Sequence, residues 1–194
     1  MKVGVLALQG AVSPHKEKLK SLGAIPVEVR LPSDLVGLSG IILPGGESTT
    51  MLHLLKLNRL WEPLKGFVET MPSWGACAGA ILLAKEVTSP SQASFGVLSV
   101  TVERNAYGRQ IDSFIGDLQV TAEGKERLGA STIEGVFIRA PRFTKVGPSV
   151  VTLVTRGDES VMVEEGRCLA STFHPELSEA NLIHEYFLKK CRNN

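Results

Sequence analysis

Cysteine is scarce in this chain: Cys77, Cys168 and Cys191 are the only three, and no Cys-x-x-Cys spacing joins them. An odd, widely spaced set excludes a disulfide framework and a thiolate zinc site, and it suits a reducing compartment such as the cytoplasm. Charge of one sign is lacking too. The 21 Lys and Arg against 20 Asp and Glu leave a net charge of +1, which provides no electrostatic footprint for nucleic acid or an anionic membrane. The densest basic patch, Lys16 to Lys20, reads as a solvated helix face. Long apolar runs are missing as well, and none approaches the ~20 residues of a membrane span. The N-terminal run Val3 to Leu8 stops at Gln9-Gly10 without a cleavage site, so it reads as a first strand and not as a signal peptide.

A hydrophobic content of 43% over 194 residues predicts one domain, residues 1–194, with a real core. Strands are expected at 2–8, 25–29 and 40–43, the first and third followed by a short loop and a helix, while the stretch 34–36 after the second is too short to assign. Pro14 stands at the first position of the first helix, and Ser48 or Thr49 caps the second. A further helix near 60–69 leads back to a short strand ending at Cys77. Alternation of this kind means a doubly wound, mostly parallel α/β sheet. Beyond about residue 93 the pattern changes to strands at 97–102, 114–121, 136–139, 150–155, 160–164 and 168–173. A hairpin turns near Glu165-Gly166, so the C-terminal half carries an antiparallel extension. An amphipathic helix over 179–190 closes the chain.

The most informative stretch is Trp74-Gly75-Ala76-Cys77-Ala78-Gly79. Its Gly-x-Cys-x-Gly spacing reproduces a nucleophile elbow with sulfur in place of oxygen. Only small neighbours let the strand turn directly into a helix there. The elbow sets the sulfur at a helix N-terminus, which favours its anionic form, and turns the Ala78 amide toward a developing oxyanion. The alternative is a buried structural cysteine. A second loop, Pro44-Gly45-Gly46-Glu47-Ser48, follows a buried strand and can turn an N–H into the same crevice. Taken alone it is also an ordinary tight turn. In Phe173-His174-Pro175-Glu176, His174 supplies the base that a thiol nucleophile needs, and Glu176 an acceptor to fix its tautomer. A surface histidine at a helix start is the competing reading. Arg139, directly after an apolar run, can clamp a carboxylate or form a structural ion pair. His15, His53 and His184 sit on helices without metal-ligand spacing and are read as structural. No metal site is expected.

Together these segments resemble the class I, triad-type glutamine amidotransferases. Leu8-Gln9-Gly10-Ala11, the block from Pro44 to Thr50, Cys77-Ala78-Gly79, the block from Arg104 to Gln110, Phe137-Ile138-Arg139-Ala140-Pro141 and the block from Phe173 to Leu177 are similar to one branch in particular. That branch forms the glutaminase subunit of glutamine-dependent pyridoxal 5′-phosphate synthase. The resemblance implies a flavodoxin-like sheet and hydrolysis of L-glutamine to glutamate and ammonia through a Cys77 thioester. It implies His174 as acid and base, Glu176 as its orienting partner, and the Gly46 and Ala78 amides as the oxyanion hole. It assigns glutamine binding to Gly46, Glu47, Ser48, Arg104, Ile138 and Arg139. No cofactor is implied. The implied partner is a separate synthase subunit in a hetero-oligomer, which consumes the ammonia to build pyridoxal phosphate. Two rivals remain at this stage: another triad glutaminase, which the Arg104 to Gln110 block argues against, and a non-catalytic docking or regulatory subunit, which the intact triad argues against.

Overall fold

The computed structural model describes residues 1–104, 106 and 113–193. The first half runs β1 (Lys2–Leu6), α1 (Val12–Ser21), β2 (Ile25–Val29), β3 (Ile41–Leu43), α2 (Ser48–Leu57), α3 (Trp61–Thr70), β4 (Ser73–Ala76) and α4 (Ala78–Leu83). The second half runs β5 (Ala84–Thr88), β6 (Leu98–Glu103), β7 (Phe114–Val120), α5 (Ala122–Leu128), β8 (Thr132–Phe137), β9 (Arg142–Val146), β10 (Val151–Arg156), β11 (Glu159–Glu165), β12 (Cys168–Ser171) and α6 (Leu182–Arg192). A large sheet has the order β2-β1-β3-β4-β12-β11-β10-β7-β8. Its pairings from β2 to β12 are parallel. From β12 through β11, β10 and β7 to β8 they are antiparallel. The expected parallel sheet with an antiparallel extension is therefore the architecture found. A second sheet, β5-β6-β9, was not legible in the sequence.

The central strands are apolar on both faces because helices cover both. Ile41 and Leu43 join one core cluster with Met51 and Leu55 of α2 and Leu64 and Val68 of α3. Ile42, between them, joins the opposite cluster with Leu19 of α1, Leu128 of α5 and Phe187 of α6. Successive side chains of a strand point to opposite faces, so a three-residue run of aliphatics serves two cores at once.

Several boundaries differ from expectation for local reasons. The first helix begins at Val12, so Pro14 occupies its third position. No hydrogen bond is lost there, since the first four helical N–H groups have no partner within the helix. The second helix is capped by Glu47, whose side chain accepts from the amides of Thr49 and Thr50. A carboxylate offers two oxygens where the hydroxyl of Ser48 or Thr49 offers one, and the Ser48 hydroxyl instead donates to Gln92 Oε1 at 3.0 Å. The strand expected over 136–139 ends at Phe137, because Arg139 turns into the left-handed region at φ +44°. The terminal helix begins at Leu182, not residue 179. Lys18 Nζ donates to the carbonyls of Glu179 (3.4 Å) and Ala180 (3.0 Å), which ties down the approach. Helix α5 was missed, although Thr121 caps it through the Gly124 amide at 3.0 Å.

Candidate functional site

Cys77 and His174 are far apart in sequence, and a single strand pairing unites them. β4 and β12 lie side by side in parallel, with Ser171 opposite Ala76. The next residues of both strands therefore leave the sheet at the same edge, and the Cys77 amide donates to the Ser171 carbonyl at 2.8 Å. In an open parallel sheet, this carboxyl edge is where the ligand crevice forms. Cys77 sits at φ +48°, a costly conformation for a residue with a Cβ and one that marks an elbow. Its glycines are there for space. A Cβ on Gly79 would stand 1.9 Å from the Leu43 carbonyl oxygen, and one on Gly75 would stand 2.4 Å from Gly79. Helix α4 can approach β3 and β4 only without those side chains.

His174 follows β12 and opens the 3-10 turn Pro175–Leu177. Its amide donates to the Val136 carbonyl at 2.8 Å, which ties the turn to β8. Its Nδ1 lies 2.7 Å from Glu176 Oε1, and Cys77 stands close enough to the ring to raise its proton affinity. Burial disfavours the charged ring, but the neighbouring Cys77 and Glu176 outweigh it and push its pKa up to about 10. Glu176 is fully buried. Burial raises its proton affinity, while the His174 bond and the His174 charge hold it below the usual carboxylate range. The pair thus favours an imidazolium facing a carboxylate, the state reached after His174 has taken a proton from sulfur.

A pocket of about 250 Å³ opens on this sulfur, the size for a small metabolite at the lower end of ligand cavities. Cys77, Ala78 and His174 line it together with Gly46, Glu47, Ser48, Arg104, Ile138 and Arg139. Every expected site residue except Glu176 therefore borders one cavity, and Glu176 stands behind His174. Gln9, Ile81 and Pro141 also line it. Gln9 had a sequence signal, since it ends the first buried strand at the crevice edge. Its Oε1 accepts from the Glu47 amide at 2.8 Å and so fixes the Gly46-Glu47 segment.

Glu47 is more committed than expected. Its carboxylate caps α2 and also meets Arg104 at 3.3 Å. Slight burial notwithstanding, hydrogen bonds from Thr49 and Thr50 hold its pKa down at about 2. Arg139 stands at the pocket with its backbone strained. Of the Arg104 to Gln110 block, Asn105 and 107–110 lie outside the described residues. Cys168 and Cys191 are buried, which pushes each thiol up to about 12 and leaves both unreactive. His53 sits on an exposed helix face.

Residues 5–193 match the model of the SNO glutamine amidotransferase family. The chain is 51% identical to the pyridoxal 5′-phosphate synthase subunit PdxT of Deinococcus radiodurans, over 97% of this chain and 96% of that one. It is 49% identical to the PdxT of Koribacter versatilis, over 100% and 97% respectively. A solved crystal structure of a glutamine amidotransferase superposes with a TM-score of 0.89 at 47% identity, covering 98% of each chain. PurLQS from Thermotoga maritima, at 17% identity and a TM-score of 0.75, shares the fold.

Proposed function

The chain belongs to the SNO glutamine amidotransferase family, and from that premise we propose how its pocket carries out the reaction. It is the glutaminase subunit of a pyridoxal 5′-phosphate synthase and hydrolyses L-glutamine to glutamate and ammonia. Residues 1–194 act as one amidotransferase domain in the cytoplasm, docked in a hetero-oligomer on the synthase subunit that consumes the ammonia. Among the described residues, no helix is long and apolar enough to cross a membrane.

Cys77 Sγ attacks the side-chain amide carbon of glutamine while His174 accepts the thiol proton. The carbonyl oxygen becomes an oxyanion held by the amides of Gly46 and Ala78, donors placed in advance where charge develops. Collapse of this intermediate breaks the C–N bond, and the His174 proton leaves with the nitrogen as ammonia. A γ-glutamyl thioester remains on Cys77. Water then attacks it, His174 takes the water proton, and the thiol is restored as glutamate departs. Glu176 holds His174 in the tautomer and orientation that both steps use. Arg104 and Arg139 are the cations suited to the α-carboxylate of glutamine, and Glu47, Ser48 and Ile138 shape the remainder of its seat.

The reading rests above all on Cys77 and His174 lining one small pocket, with Glu176 2.7 Å behind His174 Nδ1. Ammonia release from glutamine is the test, with and without the synthase subunit, for wild type and Cys77→Ala. Turnover by wild type, strongest in the complex, and none by the variant are expected. Turnover that survives loss of Cys77 would refute the nucleophile.

A further inference from the structure

Two histidines outside the pocket are fully buried: His15 on α1 and His184 on α6. His15 Nδ1 lies 3.0 Å from His184 Nε2. On its other side, His15 Nε2 lies 3.5 Å from Glu176 Oε2, the carboxylate oxygen that His174 does not use. Trp74 of the elbow strand packs edge-on against both rings, at centroid distances of 5.3 and 4.7 Å. Burying two imidazoles is costly unless their nitrogens find partners, and an aliphatic pair would fill the same space without that cost. Here both nitrogens of His15 and one of His184 face each other or the triad carboxylate, and His184 Nδ1 has no hydrogen-bond partner among the described residues.

Hydrogen-bond bookkeeping leaves one consistent arrangement. An ionised carboxylate only accepts, and a neutral imidazole donates from one nitrogen and accepts at the other. If His15 carried its proton on Nδ1, its Nε2 lone pair would face Glu176 Oε2, acceptor against acceptor. With the proton on Nε2, His15 donates to Glu176 and its Nδ1 accepts from His184 Nε2–H. Burial supports neutral rings: it lowers the His15 pKa to about 4 against the pull of Glu176, and that of His184 to about 2. The His15–Glu176 contact is therefore a neutral donor on a carboxylate and not an ion pair. At 3.5 Å the two atoms stand beyond normal hydrogen-bond length and neither has another partner among the described residues, and contacts around a catalytic centre often tighten only in the reacting complex.

We propose that His15, set by His184, is a positioning residue of the triad: its Nε2–H holds the second oxygen of Glu176, so the carboxylate keeps His174 aligned on Cys77 through both proton transfers. Outer partners of this kind orient the groups that touch substrate. The proposal rests on the triad reading above, and its tests fail separately from that reading. The first test needs no variant and no turnover. In ¹⁵N-histidine NMR of the wild-type chain at neutral pH, His15 is expected as the Nε2–H tautomer. An Nδ1–H tautomer or a protonated ring would overturn the proposal, whatever Cys77→Ala does. The second test compares His15→Gln with His15→Asn in the assembled complex with the synthase subunit. The amide of Gln reaches the place of Nε2 and faces Glu176, whereas that of Asn reaches only the place of Nδ1 and faces His184. His15→Asn is expected to lose about tenfold in kcat with KM for glutamine unchanged, and His15→Gln to stay within about threefold of wild type. Equal losses in the two, or a change carried by KM alone, would assign His15 to packing and overturn the proposal.

Discussion

Replacing Gly45 by Ala adds one methyl group at the back of the triad histidine. Gly45 is buried and does not have a positive φ, so its backbone accepts alanine without strain. The obstacle is purely spatial. The new Cβ would lie 2.3 Å from His174 Cε1 and 2.8 Å from Nδ1, where ordinary contacts begin at 3.4 Å. The imidazole must retreat by about 1 Å, and a misplacement of that size costs about 10²-fold in rate, or ~2.7 kcal/mol of barrier. The ring cannot shift freely, because its Nδ1 is held 2.7 Å from a buried Glu176 and its amide is bonded to Val136. Ammonia release by Gly45→Ala in the assembled complex should therefore fall about 10²-fold in kcat with little change in KM. Overpacking adds ~1–3 kcal/mol of destabilisation, so thermal melting must first establish that the variant is folded. A folded Gly45→Ala enzyme with wild-type kcat would refute the claim that ring placement limits the chemistry.

Glu47→Ala removes the cap of α2 and the partner of Arg104, so a loss of ~1 kcal/mol is expected. For a chain of this size that lowers Tm by about 2–4 °C, and KM for glutamine should rise as Arg104 is released; calorimetry and initial rates check the two parts. Glu176→Gln keeps the shape but removes the carboxylate that helps hold the His174 pKa at about 10. Its kcat should fall roughly 10³–10⁴-fold, and the alkaline limb of its pH–rate profile should move down toward the ordinary imidazole value. Acid stability follows from the other two buried rings. His15 and His184 are lowered from 6.5 to about 4 and about 2, so below pH 6.5 the unfolded chain binds protons that the folded chain refuses. Stability should drop as pH falls from 6.5 toward 4, and denaturant melts of His184→Gln over that range should show a shallower drop.

The sequence by itself determined the local chemistry and the order of the elements. Gly-x-Cys-x-Gly announces an elbow because only small residues tolerate that turn, and the switch from strand–helix alternation to strands alone announces a parallel sheet with an antiparallel continuation. Cys77, Gly46, Arg139, His174 and Glu176 lie where buried strands end and could be singled out one segment at a time, whereas the binding roles of Glu47, Ser48, Arg104 and Ile138 followed from the family resemblance. What remained undetermined was decided by contacts between segments. The pairing of β4 with β12, which brings His174 to Cys77, depends on which strands become neighbours, and no local pattern encodes that choice. The commitment of Glu47 to a helix cap arises because a carboxylate outcompetes a neighbouring hydroxyl for two free amides, a contest that appears only once the helix has formed. His15 and His184 looked structural because each sits alone on its own helix. Only the packing of α1 and α6 on the same face of the sheet sets His184 against His15 and His15 beside Glu176, because burial leaves these polar groups no water and only each other to face.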